Sequence, residues 1–153
     1  MLHLKDVLSP EAIIGDLGSF DKKGVLYEFA DLAANLTKDV DSHHIYECLS
    51  GREKLGSTAV GHGVAIPHSK ISGLKKVTTL FGRSKKGVDF QSHDQKLVHL
   101  FFVLLAPEDS VGADLHVLAR LSRLIKDEKV CQTFNVCEEG TLYQLLIDED
   151  DKL

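Results

Sequence analysis

The chain has 153 residues, 43% of them hydrophobic and 27% charged, and a formal net charge of −5 with its eight histidines neutral. This length and composition predict one soluble globular domain with its own core. The acidic balance excludes nucleic acid as the expected partner, because binding a phosphate backbone needs a concentrated basic surface. No apolar run approaches the roughly 20 residues of a membrane-spanning helix, and residues 1–11 lack a signal-peptide layout. We therefore expect a cytoplasmic protein without direct membrane insertion.

The first half of the chain predicts two helices followed by short strands. Ser19 or Asp21 can cap a helix whose apolar residues, from Val25 to Leu36, recur every three or four positions. A second helix is expected to begin near residues 41–42. The following stretch GSTAVGHGVAIPH is rich in glycine and β-branched residues, which is typical of a strand, a turn and a second strand.

The second half predicts two more strands and a set of helices. Residues 77–81 form a candidate strand, and the nearly all-apolar run 97–105 indicates a strand covered on both faces. Helices are expected at 114–126 and over 142–146, whereas 130–136 could be helix or turn. Strands alternating with helices predict an α/β fold, a single-domain sandwich with a mixed sheet flanked by helices. We expect the domain to span residues 1–147, followed by an acidic, frayed tail at 148–153.

The segment GVAIPHSK, residues 63–70, presents His68 from a rigid backbone. Pro67 has a locked φ and no N–H, and it drives Ile66 towards an extended conformation. Such rigidity suits a nucleophilic imidazole, whose ring nitrogen must be aimed accurately. The same residues are equally consistent with a proline that stops a strand and a histidine in the turn after it.

Other chemistries fit the sequence less well. GSTAVGHG has two glycines at the spacing of a phosphate-binding P-loop, but His62 and Gly63 stand where lysine and Ser/Thr belong. A zinc site built from His62, His68 and His116 lacks the HExxH pattern and a matching carboxylate or cysteine ligand. The three cysteines show no CxxC spacing, which disfavours both disulfides and a zinc knuckle. No GxSxG motif of a serine hydrolase is present. His99 interrupts an apolar strand and is expected to be a satisfied core or edge residue.

Two separated motifs carry a resemblance to a known family. GREKLGSTAVGHGVAIPHSK, residues 51–70, resembles the phosphohistidine segment of IIA domains of the bacterial phosphoenolpyruvate-dependent phosphotransferase system, fructose/mannitol class. DLHVLARLSRL, residues 114–124, is similar to the helix of that family that carries a second active-site histidine. Within the class the chain most resembles the nitrogen-regulatory IIA proteins. The resemblance extends from about residue 8 to residue 147 and implies an α/β fold.

The resemblance implies a set of site residues. His68 corresponds to the residue that accepts and donates phosphate through Nε2, and His116 to the neighbouring imidazole that orients it and stabilises the phosphoryl group. Arg52 corresponds to an arginine that supports the phosphate charge. Ser57 and Thr58 are assigned as hydroxyl donors to the phosphoryl oxygens. No metal and no other cofactor is expected, because phosphoryl transfer between imidazoles needs mainly alignment and charge stabilisation.

The implied function is that of a phosphoryl carrier and regulator, a phosphotransferase component with a phosphohistidine intermediate. The expected phosphate donor is a phosphocarrier protein, and the expected targets are potassium-transport proteins and sensor kinases. One alternative is a sugar-specific IIA component that passes phosphate to a IIB domain during uptake. A second alternative is a binding module that works without phosphate. We also expect apolar residues such as Ile66 to contact partners that dock over His68.

Overall fold

A computed structural model describes residues 2–153 and shows helices alternating with strands. The strands are β1 (Ile13–Ile14), β2 (Ala59–Gly61), β3 (Val64–Ala65), β4 (His68–Ile71), β5 (Thr78–Val88) and β6 (Val98–Pro107). The helices are α1 (Lys22–Thr37), α2 (Ser42–Lys54), α3 (Ala113–Leu124), α4 (Glu128–Val136) and α5 (Leu142–Asp151). None of these helices, within residues 2–153, has both the length and the apolar character needed to cross a bilayer.

All six strands form one mixed sheet around β6. The order is β1-β5-β6-β3-β2, and β4 also pairs with β6. β6 runs parallel to β3 and β4 but antiparallel to β5. Successive β6 side chains point to opposite faces, so Phe101 packs against Phe29 of α1 at 6.1 Å between ring centroids, and Phe102 packs against Phe134 of α4 at 6.5 Å. The sheet is therefore covered on both faces, and the predicted α/β sandwich is confirmed.

The first two helices begin where the sequence predicts. The Asp21 carboxylate accepts a hydrogen bond from the backbone N–H of Gly24 at 2.8 Å, and Asp41 accepts one from His44 at 2.8 Å. Each aspartate thereby satisfies an N–H group that has no partner inside its helix. The segment 130–136, left open between helix and turn, is helical and belongs to α4, whose N-terminus Asp127 caps in the same way.

β5 continues well beyond the predicted residues 77–81, through a polar stretch that does not look like a buried strand. Arg83 is only 3% exposed there. Its guanidinium donates to the backbone carbonyls of Gly15, Phe134 and Cys137 at 2.9, 3.0 and 2.6 Å. A buried charge is tolerated when its donors are satisfied in this way. The sequence pattern does not predict this part of β5, because the carbonyls that satisfy Arg83 come from distant parts of the chain.

The prediction of a frayed acidic tail from residue 148 is wrong. Helix α5 continues to Asp151, and the Asp150 side chain is only 2% exposed. Asp150 accepts hydrogen bonds from Nε of Arg120, at 2.9 Å, and from the backbone N–H of Leu4, at 2.8 Å. The run of like charges is stable because one of its members is neutralised inside the protein by an arginine from α3.

Candidate functional site

Pro67 interrupts the hydrogen bonding of a strand without changing its register. Ala65 lies opposite Phe101 and His68 lies opposite Leu104, so the two pairs are three positions apart on both strands. The carbonyl of Pro67 still accepts a hydrogen bond from Leu104 N–H at 2.9 Å. Paired residues of adjacent strands point to the same face, which places His68 with Leu104 on the face covered by α3, α4 and α5. His68 thus begins β4 and is not a turn residue.

The His68 imidazole is held by a hydrogen bond to its own strand. Its Nδ1 lies 2.7 Å from the carbonyl oxygen of Ile66. Because a carbonyl only accepts, Nδ1 must carry the proton, and in the neutral ring the lone pair then lies on Nε2. The side chain is half-buried. The geometry supports Nε2 as the nucleophilic atom, as the resemblance implies.

His116 lies in the first turn of α3 with an unsatisfied ring nitrogen. Its backbone N–H bonds to the carbonyl of Gly112 at 2.9 Å. Its Nε2 is buried and has no hydrogen-bond partner among residues 2–153. A buried polar atom without a partner costs about 1–3 kcal/mol, so this nitrogen is available for a group that arrives from outside the chain.

A short chain of contacts connects β4 to the start of α3. Lys70 follows His68 by two residues and therefore points to the same face of the strand. Its Nζ donates to the carbonyl of Ser110 at 3.2 Å, and the Ser110 hydroxyl donates to Asp114 at 3.2 Å. Asp114 and His116 share the first turn of α3. The face of β4 that carries His68 thus adjoins the helical turn that carries His116, although no hydrogen bond joins the two rings in the described chain.

Arg52 lies near the C-terminus of α2, level with His68. α2 runs antiparallel to β4. Nε2 of His44 lies 2.9 Å from the Ser72 hydroxyl, just beyond the end of β4. Near the other end of α2, Glu53 accepts from Thr58, whose carbonyl accepts from the Ile66 N–H just before β4. From His44 to Arg52 the helix rises about 12 Å, and from Ser72 back to His68 the strand covers about 13 Å. One guanidinium nitrogen of Arg52 donates to the Gly56 carbonyl at 3.0 Å. Arg52 reaches this end of β4 from the layer of α1 and α2, opposite the layer of His116.

The hydroxyls of Ser57 and Thr58 both donate hydrogen bonds within the protein. Thr58 is 5% exposed, and its hydroxyl donates to the carboxylate of Glu53. The Ser57 hydroxyl donates to the Phe90 carbonyl at 2.8 Å. Each hydroxyl has one hydrogen, so neither can donate to a phosphoryl oxygen in this conformation. In this conformation Ser57 and Thr58 hold the loop after α2, and their contact with a phosphoryl group stays a prediction.

Glu53 helps to hold the end of α2 in place, and no feature of the sequence predicted this role. It is 8% exposed, accepts from Thr58, and pairs with Nζ of Lys22 at 2.8 Å. This ion pair connects the end of α2, next to Arg52, to the start of α1. Glu53 lies inside the motif GREKLGST, and nothing in that motif indicates that this glutamate is buried.

One group of side chains has the composition of a metal site. His3, Asp150 and Asp151 offer ligand atoms within 4.8 Å of one another. The Arg120 guanidinium already donates to Asp150, and a second cation beside it would be repelled. His62, His68 and His116, weighed as a zinc site, are not brought together as a ligand group within residues 2–153.

Comparison with known proteins places the chain in a family. The family model described as "Phosphoenolpyruvate-dependent sugar phosphotransferase system, EIIA 2" matches residues 6–149. The chain belongs to this family. The EIIA 2 family is involved in phosphotransfer, and the predicted resemblance is confirmed.

Similar EIIA 2 proteins include regulators and a transport component. A nitrogen regulatory protein of Bradyrhizobium diazoefficiens is 41% identical over 146 residues, with 95% of each chain covered. A crystal structure of the nitrogen regulatory protein IIA-Ntr from Neisseria meningitidis superposes with a TM-score of 0.88 at 31% identity, covering 94% of this chain and 98% of that one. The fructose-specific EIIABC component of Bacillus subtilis is 30% identical over 99% of this chain, which spans 24% of that protein.

Proposed function

We propose that the chain accepts a phosphoryl group on Nε2 of His68 from a phosphocarrier protein, and that its phosphorylation state regulates the proteins it binds. The observation that carries this proposal is the hydrogen bond from Nδ1 of His68 to the Ile66 carbonyl. It leaves the Nε2 lone pair free, and the continuous register across Pro67 holds the ring towards α3. Membership of the EIIA 2 family supports the same chemistry.

The transfer step exchanges one P–N bond for another. The lone pair of Nε2 attacks phosphorus, the bond from phosphorus to the donor's nitrogen breaks, and the donor nitrogen keeps that electron pair. The His68 ring gains a positive charge, which the Ile66 carbonyl dipole stabilises through the Nδ1 proton. A loose transition state of this kind needs alignment more than a new covalent partner.

In this proposal two further groups assist the transfer. The unpartnered Nε2 of His116 can donate to a phosphoryl oxygen in the tautomer that carries its proton there. Arg52 lies level with His68, and one of its nitrogens is used by Gly56. The remaining N–H groups of its guanidinium can balance the anionic charge of the phosphoryl group.

Replacement of His116 with alanine should slow phosphoryl uptake by about 100-fold without abolishing it, because orientation and proton donation are partial contributions. The measurement is intact mass against time during incubation with phosphoenolpyruvate, enzyme I and phosphocarrier protein. His43→Ala is the matched control, since that histidine is exposed on α2. Uptake by His116→Ala at the rate of the parent protein would contradict its role.

The surface around the site favours docking of a protein partner. Val111 and Leu115, which flank the start of α3, are 95% and 65% exposed. They provide the apolar contact surface, whereas Ile66 is 3% exposed, so the expectation that Ile66 contacts partners is wrong. Phosphate adds a charge of about −1.5 to −2 at pH 7, and a partner packed on apolar residues would have to desolvate it.

Phosphorylation should therefore change which proteins bind this face. We expect phosphorylated protein, unphosphorylated protein and His68→Ala to recover different sets from a cell extract, including proteins outside sugar transport such as potassium transporters and sensor kinases. Recovery of a IIB domain alone would favour the transport alternative, which the similarity to the fructose-specific relative also supports. Identical sets would favour a phosphate-independent binding module.

A further inference from the structure

A cavity lies apart from His68, at the opposite end of β3. It has a volume of about 880 Å³ and is formed by the β2–β3 turn, the start of β6, the C-terminal end of α3, and α4. Cavities that bind small molecules typically measure about 300–1,000 Å³. Val64 in its wall precedes His68 by four residues, about 13 Å along an extended chain. The cavity is thus separate from the proposed phosphoryl site.

Two histidines outside the proposed phosphoryl site, His62 and His99, line the cavity. His99 bonds through Nδ1 to the Ser84 carbonyl at 2.8 Å, so its Nε2 has the lone pair in the neutral ring. His62 lies at the tip of the β2–β3 turn, with a φ of 57°, and Asp94 accepts a hydrogen bond from its backbone N–H at 2.9 Å. The pKa of Asp94 is lowered to about 2 by hydrogen bonds from Ser92, His62 and Lys96. An ionised Asp94 thus holds this rim of the cavity in place.

The remaining lining combines apolar surface with cations and amides. Val60 and Leu97 are 53% and 48% exposed and form an apolar wall. Lys96 and Lys126 line the cavity without an ion-pair partner within 4 Å in the described chain. The one acidic lining residue, Glu128, faces His62 at 3.9 Å. Two lysines and one carboxylate, that of Glu128, thus line the cavity beside apolar side chains, while the Asp94 carboxylate accepts the backbone N–H groups of His62 and Lys96 at the rim.

We infer that this cavity binds a small organic anion, a molecule with a carboxylate or similar acidic group on an apolar or aromatic body. The lysine ammonium groups neutralise the acidic group, while the Gln132 and Asn135 amides can donate to its oxygens. Val60 and Leu97 cover the apolar body, which would remove them from water. This site is independent of phosphoryl transfer.

The test uses 1-naphthoate as the probe and amide NMR of the full chain as the readout. We expect shift changes confined to the β2–β3 turn, the start of β6 and α4. Uncharged 1-naphthamide and inorganic phosphate should each bind more weakly than 1-naphthoate. Naphthamide lacks the negative charge, and phosphate lacks the apolar body. Lys96→Gln and Lys126→Gln should each weaken naphthoate binding about fivefold.

Two control variants make the result decisive. Lys23→Gln removes an exposed lysine on α1, in the other helical layer, and should leave binding unchanged. His68→Ala should also bind naphthoate as the parent protein does, so this result does not depend on whether His68 accepts phosphate. Shift changes spread over other surfaces, equal binding of naphthamide, or unchanged affinity in both cavity lysine variants would overturn the inference.

Discussion

We expect replacement of His68 with alanine to abolish phosphoryl uptake and to leave the fold intact. The imidazole is half-buried at the start of β4, and the strand is held by backbone pairing with β6, which the side chain does not provide. Without the imidazole the nucleophile is lost, because the neighbouring nitrogen on this face, Nζ of Lys70, donates to the Ser110 carbonyl. In the mass assay with phosphoenolpyruvate, enzyme I and phosphocarrier protein, the variant should gain no phosphoryl group, while its circular dichroism and Tm should match those of the parent protein.

The chemistry of the product provides an independent check. The modified parent protein should lose its phosphate in acid and keep it in base, as a phosphorylated imidazole does. An acid-stable product would indicate a hydroxyl ester, for which Ser69, the next residue, is the nearest candidate. Labelling of His68→Ala at the parent rate would also contradict the assignment. His43→Ala, which removes an exposed histidine, should behave as the parent protein.

Replacement of Asp150 with alanine should lower the free energy of unfolding by about 3–5 kcal/mol, the range expected when one partner of a buried ion pair is removed. Arg120 and Asp150 are 6% and 2% exposed, and Nε of Arg120 lies 2.9 Å from the carboxylate. The substitution leaves the guanidinium buried without its counterion. It also removes the acceptor of the Leu4 N–H, so the N-terminal segment and α5 lose a shared contact.

Urea denaturation of the two variants Asp150→Ala and Asp148→Ala measures this effect. Asp148 is exposed on the same helix and accepts from Gln144, an i,i+4 contact at 2.8 Å. Its loss should change stability by no more than about 0.5 kcal/mol. Equal, small decreases in the free energy of unfolding of both variants would contradict the stabilising role of the Arg120–Asp150 pair. They would favour a frayed C-terminal tail.

Much of the site's layout depends on local signals that a sequence shows. Pro67 restricts the backbone on both sides of His68 by its own covalent geometry, so a rigid histidine was predictable. The Asp21 and Asp41 caps act within three residues and were likewise readable. The family was evident because two motifs occur in order at a suitable separation. The roles of His68, His116 and Arg52 remain predictions, which the geometry supports.

The sequence by itself determined the alternation of helices and strands, the doubly buried strand β6 and the histidine that Pro67 positions, because each depends on periodicity or on neighbouring residues. Only the tertiary structure decided the rest. It directs the Thr58 hydroxyl to Glu53 and away from the surface, buries Asp150 against Arg120, and gathers His62 and His99 at one cavity. Such pairings join residues that are distant in sequence or depend on which face is covered. No local sequence pattern predicts these contacts, since they form, and stabilise the protein, only when the layers of the fold pack together.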